Sequence, residues 1–414
     1  MNELFWYEIE GAIVCSPDSC RDFKRLAALP DGVERAFFLF SRPRESSRAA
    51  FAVSHPGQLL AAHEDYRWLD ANSLPDVAAG ADLERLIGER RLTAVNIAYP
   101  RWRELLRPLP LRRKLRLHLL AVGDVGGMLL SGLKLLGGGL LESIGIHDLK
   151  RETTARWEYE LNQVAWPWDY GALPEIECLE PEQLFACDAF VFCATAGVPP
   201  LHAGTGDVRL AQFEKNAAII GAYARQAAAD GFSGLFAVVS DPVDQLCQAA
   251  YVAAEGGLFP EQIEGYGLGV MNSRAAYFAR RDPRFAAFLS EGRAYGPHGE
   301  GLVIADSVAH YQDGLSRELT RLALTANLRA REMGFKPYIA PALSSAALPL
   351  LLTIGGEWHY SATRLGAVWM GAKNRRLPAG LEVEALPLPV ALEKRLAETY
   401  SRLTDFAPGG DTHD

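Results

Sequence analysis

The chain has 414 residues, of which 49% are hydrophobic and 22% charged, with a formal net charge of -9. That length allows two or three domains with sizeable cores, and the apolar share is that of a globular protein. The acidic balance argues against a nucleic-acid or anionic-membrane partner, because no run of Lys and Arg is long enough to hold a phosphate backbone.

The N-terminal stretch MNELFWYEIEGAIVC carries acids where a signal peptide would carry bases, and no apolar run reaches the length of a membrane span. A cytoplasmic location is therefore expected. Cysteines 15, 20, 178, 187, 193 and 247 form no C-x-x-C pair and have no histidines at zinc spacing, so neither a structural metal nor a disulfide framework is expected. Residues 1–113 read as a small α/β domain of unknown role. Strands are expected at Leu4–Tyr7, Ala12–Val14 and Arg35–Phe40, and helices at Cys20–Leu29 and Ala81–Arg90. His55 and His63 have no neighbours that complete a constellation. The basic piece RPLPLRRKLR, 107–116, reads as a linker.

From Leu115 onward strands alternate with helical patterns, the signature of a parallel sheet flanked by helices. Residues 114–263 read as a Rossmann domain and 264–405 as an α+β catalytic domain, with 406–414 a tail. The run LHLLAVGDVGG, 117–127, reads as strand, tight turn and helix, with an A-x-G-x-x-G fingerprint at Ala121, Gly123 and Gly126. Such a loop brings backbone N–H groups and a helix N-terminus to a pyrophosphate. Ala121, Gly123, Asp124, Val125 and Gly126 are the candidate loop residues. A second strand, Ser143–His147, ends in Asp148, where a dinucleotide fold places the acid that accepts from the ribose hydroxyls. That acid would repel a 2′-phosphate, so NAD is preferred over NADP, although Lys150 and Arg151 leave NADP open. Further along come the strand Ala189–Ala194, a helix containing Asn216, and the strand Leu235–Val239.

Several blocks now fall into one order: the loop at 121–126, Asp148, T-A-G-V-P at 195–199, S-D-P-V-D at 240–244, the G-x-G…S-R stretch at 265–274 and G-P-H-G-E at 296–300. Tyr338–Ala342 and LPAGLEV at 377–383 follow. Over roughly residues 115–405 this resembles the lactate/malate dehydrogenase family. The resemblance implies an NAD-dependent oxidoreductase that moves hydride between nicotinamide and a 2-oxo or 2-hydroxy acid, assembled as a homodimer or homotetramer. It places His298 as the proton-transferring imidazole, Arg209 as the mobile-loop arginine seven residues before Asn216, and Arg274 as the grip on a substrate carboxylate. Asn272 and Pro341 would line the substrate. Thr195, Ala196, Gly197, Asn216 and Ser240 would join the cofactor site.

Two departures bear on mechanism. Where the family holds the aspartate that orients its histidine, three residues before the arginine, this chain has Met271. Where the family has Asn in Ser-Asn-Pro-Val-Asp, it has Asp241. The carboxylate is expected to have moved: Asp241 either faces His298 from the other side or binds a cationic group such as an amine or imine on the substrate. Two further readings follow, an opine-type imine reductase and a nucleotide-binding partner protein without turnover.

Overall fold

The computed structural model describes residues 4–62, 64–107, 113–197 and 206–406, with the side chains of 206–212 outside the description. His63, residues 108–112 of the expected linker and residues 198–205 therefore lie outside the described residues.

The N-terminal region builds a six-stranded sheet from β1 (Phe5–Ile9), β2 (Ala12–Ser16), β3 (Lys24–Leu26), β4 (Ala36–Phe40), β5 (Ala50–Ala52) and β6 (Leu92–Asn96). Their order is β3-β1-β2-β4-β6-β5. One face packs on helix α1 (Ala81–Gly88) through Leu83, Leu86 and Ile87. The other face buries Tyr7, Val14, Phe37, Leu39 and Val95 against Leu106. The helix expected over residues 20–29 is not formed. Lys24–Leu26 instead pairs antiparallel with the outer edge of β1, with Lys24 on Glu8 at 2.6 Å and the Arg25 guanidinium over the Phe5 ring. A short helix is marginal unless it buries a face, and here an open strand edge offers ladder hydrogen bonds in its place.

The second sheet has nine strands. Six are parallel: β7 (Leu115–Leu120), β8 (Leu141–His147), β9 (Glu175–Cys178), β10 (Ala189–Phe192), β11 (Leu235–Val238) and β12 (Ile263–Gly265). Beyond β12, and outside the sheet, β13 (Arg293–Tyr295) and β14 (Val303–Ala305) form a separate hairpin. The sheet then resumes with β15 (His359–Leu365), β16 (Val368–Leu377) and β17 (Gly380–Val383), which are antiparallel. The whole order is β17-β16-β15-β12-β11-β10-β7-β8-β9. Its parallel half runs 3-2-1-4-5-6 in chain terms, the dinucleotide-binding order with its switch point between the first and fourth strands. The sheet continues across the expected boundary at residue 263.

The parallel strands are buried on both faces, as their unbroken apolar runs require. On one side lie α4 (Gly206–Ala229) and α5 (Val243–Ala253); on the other lie α2 (Asp124–Leu136) and α9 (Leu348–Gly355), while α3 (Arg151–Leu161) packs at the β9 end. The remaining helices are α6 (Leu268–Ala279), the single turn α7 (Phe288–Glu291), α8 (Asp313–Glu332) and α10 (Val390–Asp405). A π-helical turn, Pro341–Ala347, leads into α9. Among the described residues no helix is long and apolar enough to cross a membrane.

Candidate active site

Four parallel strands, β7, β10, β11 and β12, deliver loops to one edge of the sheet, at 121–123, 193–197, 239–242 and 266–267. In open α/β sheets that carboxyl edge is where ligands bind.

At the first loop, Ala121 takes φ 72°, a left-handed backbone that the usual glycine would adopt without a Cβ penalty. A Cβ on Gly126 would lie 2.0 Å from the Ala121 carbonyl oxygen, so only glycine lets α2 pack this close to β7. A Cβ on Gly123, by contrast, would meet nothing within 4 Å, leaving open space before the free N–H groups of α2. This cradle suits a pyrophosphate. Asp148 leans over the same loop, its carboxylate accepting from Val122 N at 3.0 Å and Lys150 N at 3.1 Å. Asp124, in the first turn of α2, pairs with Lys336 Nζ at 2.8 Å.

Across the other strand ends, Asn216 is fully buried and acts as a clamp. Its Oδ1 accepts from Ala196 N at 2.8 Å and from the Thr195 hydroxyl at 3.4 Å, and its Nδ2 donates to the Asp241 carbonyl at 2.9 Å. The Ser240 hydroxyl donates to Ala194 O at 2.7 Å, tying the end of β11 to that of β10. Gly197, the last described residue of this loop, has φ 109°. Asn216 and Ser240 therefore spend these hydrogen bonds on protein, holding the loops that would face a cofactor.

His298 stands on the loop between β13 and β14, which is anchored by Gly296 N donating to Gly371 O at 2.8 Å. Its Cβ lies so close to Gly267 that a side chain there would approach it to 2.9 Å. Its Nδ1 is 3.6 Å from Asp241 Oδ1. The relocated carboxylate thus faces the histidine, while Met271 is buried in the core between α6 and α8. The Asp241–Pro242 peptide is cis. Crowding by protein atoms would raise the Asp241 carboxyl, but the His298 imidazole outweighs it and holds the group below its ordinary value, with the side chain still open to solvent. One turn along, Asp244 is 4% exposed, its Oδ1 has no hydrogen-bond partner among the described residues, and burial pushes its carboxyl up to about 7.

Arg274 lies midway along α6, half-buried, with Nη1 donating to Ala323 O at 3.3 Å and lying 3.6 Å from Met271 Sδ. No carboxylate pairs with it among the described residues, and burial lowers its pKa. Asn272 is beside it on α6, and Pro341 opens the π-helical turn. Arg209 falls in the first turns of α4, and its side chain is outside the description.

Sequence reasoning missed three residues. Lys336 reaches Asp124 across 212 positions, and nothing local announces it. Ser345, in the π-helical turn, donates to Gly267 O at 2.5 Å and accepts from Val270 N at 3.0 Å, fixing the start of α6 beneath His298. Asp244 stood inside the S-D-P-V-D block, but its burial is a tertiary fact.

No protein-family profile matches the chain. It is 28% identical over 168 residues, 40% of its length, to an L-lactate dehydrogenase of Staphylococcus saprophyticus, covering 49% of that protein. It is 26% identical over 188 residues, 45% of its length, to an L-lactate dehydrogenase of Treponema denticola, covering 56% of it. The chain thus spans about half the length of the curated relatives it matches. Its fold matches the minor L-lactate dehydrogenase of Enterococcus mundtii, solved in ligand-bound form, with TM-score 0.58 at 18% identity over 70% of this chain and 97% of that one. It also matches the malate dehydrogenase of Archaeoglobus fulgidus, solved with NADH, with TM-score 0.57 at 17% identity over 70% and 97%.

Proposed function

Because the chain is a distant homologue of the lactate/malate dehydrogenase family, carrying an additional N-terminal region, we propose that it is an NAD-dependent dehydrogenase acting on a 2-oxo or 2-hydroxy acid unlike lactate. The observation that supports this most is the His298–Asp241 pair at the carboxyl edge of the parallel sheet.

The loop at 121–126 and Asp148 would hold the dinucleotide, and the open space before Gly123 fits its pyrophosphate. When bound, NAD would supply the hydride-accepting ring. The chain's own residues handle the proton. With Nδ1 3.6 Å from the Asp241 carboxylate, His298 has Nε2 as its other ring nitrogen to take the proton of a secondary alcohol, or as imidazolium to return it to a carbonyl oxygen. Asp241 stabilises the charged ring through this ion pair, the electrostatic part of what an acid does for histidine in acyl-transfer triads. Arg274, with no carboxylate of its own, would grip the substrate carboxylate, with Asn272 and Pro341 beside it. Arg209 would polarise the substrate oxygen, a role carried over from the resemblance. Assembly as a homodimer or homotetramer belongs to the same proposal.

NADH oxidation against a panel of 2-oxo acids, with and without amines, tests the reading. Turnover with an oxo acid alone is expected. Turnover only when an amine is added would shift the assignment to an imine reductase, with Asp241 binding the cation. NADH binding without turnover on any substrate would leave a non-catalytic nucleotide-binding protein. In an active enzyme, Asp241→Asn should lower kcat by roughly 10²- to 10⁴-fold and alter its pH profile. Unchanged turnover and an unchanged profile would remove Asp241 from the mechanism.

A further inference from the structure

The N-terminal sheet carries a cavity of about 440 Å³, lined by none of the residues around His298. It opens where the β1–β2 turn, the start of β4 and the 3-10 turn Trp102–Leu106 come together. Its size is within the range of small-molecule sites. Ala12, Phe37 and Leu106 give it an apolar wall, and Arg35, Arg103 and Arg107 contribute guanidinium groups.

Arg35 is the informative residue. Its Nε donates to the buried Thr93 hydroxyl at 3.1 Å, and Thr93 in turn donates to Ala379 O at 2.7 Å, so the base of the guanidinium is held in place. The guanidinium carbon lies 4.6 Å from the centre of the Phe37 ring. Among the described residues neither Nη has a protein acceptor and no carboxylate pairs with the group. Burial lowers its pKa to about 10, a sign that the charge is poorly compensated. Arg107 is also without an ion-pair partner among the described residues, but it is exposed at the rim. Two acids line the same space. Glu10 is taken by Arg103 at 3.2 Å, and Glu34 is exposed. A planar fork fixed at one end, half-buried and with no protein acceptor at either Nη among the described residues, beside an apolar wall, matches a carboxylate attached to a hydrophobic body.

We propose that this cavity is a binding site for a small amphipathic carboxylate, with Arg35 gripping the carboxylate, Phe37 and Leu106 covering its apolar body, and Arg107 adding rim attraction. The site is separate from the proposed dehydrogenase chemistry and stands whether or not that chemistry is found.

Isothermal titration calorimetry on the full chain tests it with three probes: benzoate, its neutral isostere benzamide, and inorganic phosphate. Benzoate is expected to bind with Kd on the order of 1 mM or tighter, and the other two at least about tenfold more weakly. Arg35→Gln should weaken benzoate about tenfold or more. Arg107→Gln, at an exposed position that cannot unfold the chain, should weaken it by about threefold. Arg274→Gln should leave it unchanged, which separates this cavity from the carboxylate grip proposed for the active site. Absence of benzoate binding, equal binding of benzamide or phosphate, or loss of binding in Arg274→Gln with none in the Arg35 and Arg107 variants would each overturn the proposal.

Discussion

Ala121 holds a left-handed backbone that an L-residue with a Cβ adopts at a cost of roughly 1 kcal/mol. Ala121→Gly should therefore raise stability by about that amount, read as a higher denaturation midpoint with an unchanged slope. Asp244 gives a prediction in pH. Its folded carboxyl is raised from 3.8 to about 7, so the folded state binds the extra proton, and stability falls as pH climbs through that window. Asp244→Asn removes the group, and its unfolding free energy should lack this decline. The variant should be more stable than the parent above pH 7, and similar near pH 4, in urea titrations across the range. A parallel pH dependence in both proteins would show that Asp244 is not perturbed by burial.

Among the elements, the join between β12, β15 and β16 carries a buried polar network. Glu264 accepts from Arg376 Nε at 3.1 Å and from the Tyr266 hydroxyl at 3.1 Å, with His359 Nε2 at 3.7 Å. Burial alone would raise the Glu264 carboxyl, but Arg376 and His359 outweigh it and bring it from 4.5 to about 2. Its stabilisation is thus complete above pH 4.5 and is lost as pH falls toward 2. Arg376→Met leaves the acid buried without its cation and should destabilise the chain by about 3–5 kcal/mol near neutral pH, measured by denaturant unfolding. A loss under 1 kcal/mol would mean that solvent reaches Glu264.

This network also marks the limit of what the sequence discloses. The parallel strands were legible because their residues are apolar on both faces, and the turn at 121–126 because its spacing is local. The pairing of Asp241 with His298 could be anticipated from a missing acid at 271 and an extra one at 241. Apart from Tyr266, two positions on, the partners of Glu264 come from strands more than ninety positions away in the chain, and the π-helical turn that places Ser345 under Gly267 has no local signature. The misassigned segment at 20–29 failed for the same reason: the edge of β1 that captures it is supplied by tertiary structure.

At the scale of the whole molecule, the N-terminal sheet is fastened to the larger body by polar and apolar contacts along its length. Arg364 Nη2 donates to the carbonyls of Arg44 and Glu45 at 2.9 and 2.8 Å, Ala50 N donates to Glu261 at 2.9 Å, and Arg90 pairs with Glu382 at 2.9 Å. Tyr99 packs on Phe259 with ring centres 6.2 Å apart. Such an interface predicts one cooperative thermal transition for the intact chain. Gly366 lies at this seam with φ 60°, and a Cβ there would come within 2.2 Å of the Glu64 carbonyl oxygen. Gly366→Val should push the two layers apart and split the calorimetric peak in two, whereas a single sharp peak shifted by only a degree or so would show that the seam accommodates the side chain.

The nine-stranded sheet has two outermost strands, and they are protected differently. β9 shows solvent the side chains of Glu175 and Glu177, whose like charges deter a second chain from annealing alongside. β17 has no such fence, apart from Glu382, which is already engaged, and lies against β5 of the neighbouring layer. Shortening the protein to residues 114–406 would therefore strip the cover from a sticky margin, and such a truncate should form oligomeric precipitates even if its loop at 121–126 folds intact.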